Sequence, residues 1–137
     1  MKTFFKTISI PIILAVLNVV AQYLYAFLPH PIGIIIFNVV RLILSFWAGW
    51  LIVSHQVGGL WQAGIAGAVL FILDHIILRG GMFLVLIIVG KLSLKFGLMS
   101  FGGVIISFLM LVWIPFLIAV IGGYLGKRSH HRADATT

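Results

Sequence analysis

In 137 residues this chain is 63% hydrophobic and only 8% charged, with a formal charge of +7 and no cysteine. Soluble domains carry about a quarter charged residues, and no polar, periodic stretch here is long enough to bury a core of its own, so a soluble domain is excluded. The basic residues stand at the ends of apolar runs and not on one face, which excludes a nucleic-acid footprint. Without cysteine there is no disulfide, no thiolate nucleophile and no thiolate metal site.

The first apolar run, Ile8–Leu28, contains no charged residue. A helix rises about 1.5 Å per residue, so roughly 20 apolar residues cross a hydrocarbon core. Lys2 and Lys6 precede this run, and Val19-Val20-Ala21 would serve as a cleavage site. The start therefore also reads as a signal peptide, but the run continues to Leu28 and outlasts a usual signal core, which favours an uncleaved span. Pro11 falls in its first turn, where a missing N–H is tolerated. Pro29-His30-Pro31 ends it and forces a reversal.

A second span is expected over Gly33–Val53, with Arg41 as its one charge, and a third over Leu60–Leu78, with Asp74 as its one charge. The link Ser54–Gly59 is short, so these two spans are antiparallel neighbours. After Arg79-Gly80-Gly81 the apolar stretch Met82–Val89 is too short to cross. Lys91 and Lys95 then stand one helical turn apart. A fourth span is expected over Gly102–Gly126, kinked at Pro115, followed by a polar, mobile tail at 127–137. The expected fold is all-α: one membrane domain, an integral bundle of four transmembrane helices, with an interfacial or re-entrant segment at Gly80–Phe101 between the third and fourth. Gly33–Phe37 resembles Gly103–Ser107 and Gly49–Leu51 resembles Gly123–Leu125, but at unequal offsets, as chance matches in an apolar alphabet do.

Four spans put both termini on one side. That side carries Lys2, Lys6, Lys127, Arg128 and Arg132, against Arg79, Lys91 and Lys95 on the other. The bias places both termini in the cytoplasm, across a cell (inner) membrane. Trp47, Trp50, Trp61 and Tyr124 then mark the inner interface, and Tyr23 and Tyr25 the outer one.

Folding the chain on its turns brings polar residues to one depth. About the Val57–Gly58 pivot Arg41 faces Asp74, and about His30 the residues Asn18 and Gln22 reach the level of Arg41 and Asn38. Asn18 and Gln22 share one helix face, as do Asn38, Arg41 and Ser45, and His75 follows Asp74. An unpaired charge at that depth costs about 2.5–3.5 kcal/mol on insertion scales. Arginine cannot escape by losing its proton. A bidentate Arg41–Asp74 pair is the expected solution.

Two readings follow. In one the cluster Asn18, Gln22, Asn38, Arg41, Asp74 and His75 lines a polar pathway or binds a polar ligand, with Asp74 or His75 exchanging protons. In the other, Arg41–Asp74 is a static clamp that fixes helix pairing. Ala63/Gly67 and Gly64/Ala68 form small-xxx-small pairs, and Gly122, Gly123 and Gly126 extend the theme; they serve packing within the chain, a homo-oligomer or a larger membrane partner.

No Ser-His-Asp arrangement, HExxH, Walker loop or GxGxxG is present. Catalytic, cofactor and metal sites are therefore not expected; His130-His131 reads as a solvated pair. The leading expectation is a non-enzymatic structural or accessory subunit acting through helix–helix contacts in the bilayer. The alternative is a small transporter or channel component using the Arg41/Asp74 layer, which would need oligomerisation or a partner. A pore former of the holin type rests on size and the basic tail alone.

The segment Gly80–Phe101 generates a direct test. Gly80-Gly81 costs about 2 kcal/mol of helix propensity relative to alanines, and two lysines cannot sit unpartnered at the bilayer centre. Cysteines placed at Lys91 and Lys95 are expected to react with a membrane-impermeant thiol reagent added from outside. Protection of both, with labelling at Ser54 or Gln56 instead, would invert the topology.

Overall fold

The computed structural model describes residues 2–25, 32–81, 87–88, 90, 105–106 and 108–134. Every element among them is helical: α1 (Lys2–Thr7), α2 (Ser9–Tyr25), α3 (Ile32–Ser54), α4 (Leu60–His75) and α5 (Trp113–Asp134). The 23-residue α3 and the 21-residue stretch Phe108–Arg128 are long and apolar enough to cross a membrane. At 17 and 16 residues, α2 and α4 are shorter.

Local chemistry sets the boundaries. Pro11 has no N–H to give to Thr7, and the helix breaks one step away, at Ile8, between α1 and α2. Flanking bonds from Ile8 N–H to Phe4 O and from Ile12 N–H to Ile8 O carry the path across the break. The end of α3 is closed by a Schellman motif. Gln56 N–H donates to Val53 O (3.1 Å) and Val57 N–H to Ile52 O (3.0 Å). The left-handed residue there is Gln56, at φ 55°, and not one of the two following glycines. Gln62 Oε1 then accepts the Gly59 N–H at 2.9 Å, capping the start of α4.

At its other end α4 passes into a π-helical turn, Ile76–Gly80, so the helical path outruns the expected limit at Leu78. Near Pro115, where a kink was expected, the regular helix is interrupted at Val112. Proline removes the bond to Leu111 O, and Val112 and Phe116 bridge the gap through Phe108 O and Val112 O. Beyond Gly126 the structure differs from the sequence reading: α5 runs on through the basic residues to Asp134. Lysine and arginine are good helix formers, and cations suit the C-terminal half of a helix. The turn at Pro29–Pro31, the side chains of Tyr23 and Tyr25, the start of the fourth span, and Lys91 and Lys95 lie outside the described residues.

Packing follows the small residues. The most extensive interface joins α3 and α5, then α4 with α5 and α3 with α4. Both α2 and α5 lie against α3 and α4 but hardly against each other, so α3 and α4 form the central pair with α2 and α5 on opposite sides. Gly49 abuts the Ala119 backbone, Gly122 the Phe46 backbone and Gly126 Trp50. Gly67 meets Pro115 and Ala119, Gly64 meets the Phe116 ring, and Gly123 sits beside Ala63. The last set makes α5 antiparallel to α4, with numbers rising along one as they fall along the other.

Outside, the helices are apolar. Ile10, Ile13, Leu17 and Val20 on α2, Ile35, Val39 and Ile43 on α3, and Ile114, Leu117 and Ile121 on α5 are exposed at helical spacing. Asn18, Ser45 and Asp74 are buried, at 5%, 0% and 3% exposure.

A Cβ added at Gly49 or Gly122 would run into backbone of the facing helix, which cannot swing away as a side chain would. Gly49→Ala and Gly122→Ala are each expected to destabilise the fold by about 1–3 kcal/mol, the usual range for overpacking. Gly81→Ala, with nothing within 4 Å of the new methyl, is expected to leave the midpoint unchanged or raise it. Thermal unfolding in detergent compares the three.

Candidate functional site

Arg41 is the tenth residue of α3, and its side chain is half-buried. Its guanidinium lies over the Phe71 ring, 4.9 Å from the centroid, and 5.9 Å from that of Phe37. Phe37 is one turn earlier on α3, and Phe71 is one turn before Asp74 on α4. A cation over an aromatic face gains about 0.5–2 kcal/mol, more where water is scarce. Phe71 also stacks on Phe108 (5.4 Å) and His75 (4.5 Å), and the His75 ring meets Phe108 edge-on at 5.5 Å. One ring thus ties α3, α4 and the stretch before α5 together.

The bidentate Arg41–Asp74 pair expected from the sequence is not formed. Neither carboxylate oxygen of Asp74 accepts a hydrogen bond among the described residues, although both are buried. The Arg41 guanidinium lies instead on the Phe71 face. Depth was legible from the turn; direction was not, because the aromatic ring one turn earlier competes for the guanidinium.

Gln22, Asn38, Arg41, Asp74 and His75 line one partly open cavity of about 270 Å³, together with the apolar Ile34, Phe37 and Leu111. Asp74 and His75, although adjacent on α4, both reach it. Asn18 Nδ2 donates to Phe37 O at 3.2 Å, joining α2 to α3 behind the cavity. Asn38 Nδ2 donates to Ile34 O (2.8 Å), and Ser45 Oγ donates to Arg41 O (3.0 Å), each within its own helix. Ser45 shares the Arg41 face but does not line the cavity.

Sequence reasoning missed Phe37, Phe71 and Phe108. The first two were accessible from spacing alone, since each stands three or four positions from Arg41 or Asp74. No group of three or more potential metal ligands occurs among the described residues. Comparisons with protein-family models, with curated proteins and with solved structures found no match.

Two substitutions separate the aromatic contacts from the amide bond. Phe71→Ala removes a fully buried ring and its contacts, at an expected cost of about 3–5 kcal/mol. Asn18→Leu removes one hydrogen bond between helices, expected to cost under about 1 kcal/mol in a membrane setting. The readout is again the thermal midpoint in detergent.

Proposed function

We propose that this chain is a small multi-pass membrane protein, a bundle of four transmembrane helices with both termini on the cytoplasmic side of a cell membrane. We propose further that it works as a component of a transport or channel system, holding a small polar solute in the Arg41/Asp74 cavity. One observation carries this reading: a cavity lined by two charges, two amides and an imidazole, inside a bundle whose exterior is apolar. Such a lining is costly in a bilayer and useful only if something polar enters it.

The topology has its own support. Because α4 and α5 are antiparallel, the link between them returns to the side it left, in keeping with an even number of crossings. A fifth span over Met82–Ser100 would make them parallel. Reporter fusions after Lys6 and after Thr137 are therefore expected to report the same, inner side.

The accessory-subunit reading depends on faces that bind other helices. The glycine and alanine seams, its most specific candidates, are filled here by the chain's own helices. A static clamp would use the Asp74 oxygens, and among the described residues neither accepts a hydrogen bond.

The absence of cysteine makes the unmodified chain a clean background. Asn38→Cys and Gln22→Cys are expected to react with a small water-soluble methanethiosulfonate in membranes, while Ile35→Cys, on the outward apolar face, stays unreactive. Protection of Asn38→Cys and Gln22→Cys alike would mean that water never reaches the layer, and the solute-holding reading would fall.

A further inference from the structure

Tyr124, Lys127 and Arg128 stand three and four positions apart on α5, so they share one helix face. All three are exposed. That face meets the start of α4. With Leu60, the first residue of α4, they line a partly open hollow of about 350 Å³. The hollow lies beside the Ser54–Gly59 turn, at the other end of the bundle from Asp74 and His75, which close α4.

The chain has little to offer these two cations as counter-charge. It holds nine basic residues against two acidic ones. Asp74 is buried in the polar layer. Asp134 follows Lys127 by seven positions and Arg128 by six, beyond the three or four at which helix side chains pair. The anion that suits the hollow therefore comes from outside the chain. An ammonium and a guanidinium side by side fit a phosphate, the first as a point charge and the second as a fork.

The surface next to the hollow selects a lipid over a free anion. Trp61 is 65% exposed, and its ring packs edge-on against Phe116 at 5.2 Å; Phe116 meets Trp113 at 5.7 Å. Phe116 and Trp113 precede Tyr124 on α5 by eight and eleven residues, so this row of rings leads from the hollow toward the middle of the bilayer. Trp and Tyr collect at headgroup depth, which sets Lys127 and Arg128 at the phosphates. A water-soluble anion gains nothing from the rings, whereas an acyl chain covers them. A choline or ethanolamine lipid brings a cation of its own that Lys127 and Arg128 repel. Basic pockets between membrane helices on the cytoplasmic side suit anionic headgroups.

We propose that the hollow between the start of α4 and the basic part of α5 binds an anionic phospholipid, with Lys127 and Arg128 on its phosphodiester and an acyl chain along Trp61 and Phe116. This rests on the membrane reading above and not on the Arg41/Asp74 cavity.

The test uses the full chain purified in detergent. Native mass spectrometry compares retention of phosphatidylglycerol with that of phosphatidylcholine bearing the same acyl chains. The expected preference is about thirtyfold, at about fivefold for each basic residue beside an anionic lipid. The double variant Lys127→Gln, Arg128→Gln is expected to lose it. The variant Lys2→Gln, Lys6→Gln removes the same charge elsewhere and is expected to keep it. Should the first double variant fail to fold, each of its single substitutions is expected to lower the preference about fivefold. No preference in the unmodified chain, a preference that survives the substitutions on α5, or an equal loss in the N-terminal variant overturns the proposal. Inorganic phosphate is expected to displace no more lipid than chloride at equal ionic strength; greater displacement assigns a free-anion site and overturns the lipid. Cysteine reactivity at Asn38 and Gln22 reads the solute-holding proposal separately, so a failure here leaves that proposal standing. Reporter fusions that show no insertion into a membrane would remove both.

Discussion

Arg41 carries a charge that cannot be neutralised by proton loss, and it sits near the middle of the longest apolar helix. Much of the polar structure is arranged around that fact. The guanidinium lies on the Phe71 face, and Asp74 stands one turn further along α4 with neither carboxylate oxygen hydrogen-bonded among the described residues. Removing two ions from water is costly, and a close pair recovers that cost only when its remaining donors and acceptors are also met. Here the acceptors around Asp74 are not met from within the described residues. The arrangement stabilises the arginine while leaving the carboxylate side incomplete.

The bundle is built in two unlike halves. Toward the Ser54–Gly59 turn, glycines let α3 and α5 touch backbone to backbone, with α4 pressed against both through Ala63, Gly64 and Gly67. Without a hydrophobic drive between helices in lipid, such close approach is how they hold together. Toward the other end Phe37, Arg41, Phe71 and His75 make the contacts. The cavity lies in that half. The welded half fixes the axes; the open half inherits its geometry from them.

This division explains what could be read from the chain. Helix existence and pairing follow from apolar run length and from the short Ser54–Gly59 link, which puts Arg41, Asp74 and His75 at one level by counting alone. Asn18 and Gln22 follow from the same count about the first reversal. The continuation of α5 to Asp134 was not legible, because polarity was taken as the end of the helix when only the apolar run ends at Gly126. The left-handed position at Gln56 was hidden for a similar reason: two adjacent glycines drew the turn toward themselves, but the Schellman bonds close two residues earlier. At the site, charge complementarity overstated the Arg41–Asp74 contact because the Phe71 face competes for the guanidinium. Side-chain direction depends on which of two partners the guanidinium faces, and residue types at a given depth do not decide that.

A clamp reaches its lowest energy when both members are saturated, and the chain holds amides that could have saturated them. Asn38 instead donates back to its own helix at Ile34 O, and Asn18 donates to Phe37 O. Their amide N–H groups are thus turned away from the carboxylate that needs donors. A buried polar cluster that is only half satisfied is less stable than an apolar core of the same volume. With both Asp74 oxygens unbonded among the described residues and the two amide N–H groups given to backbone carbonyls, this layer does not gain what a saturated pair would.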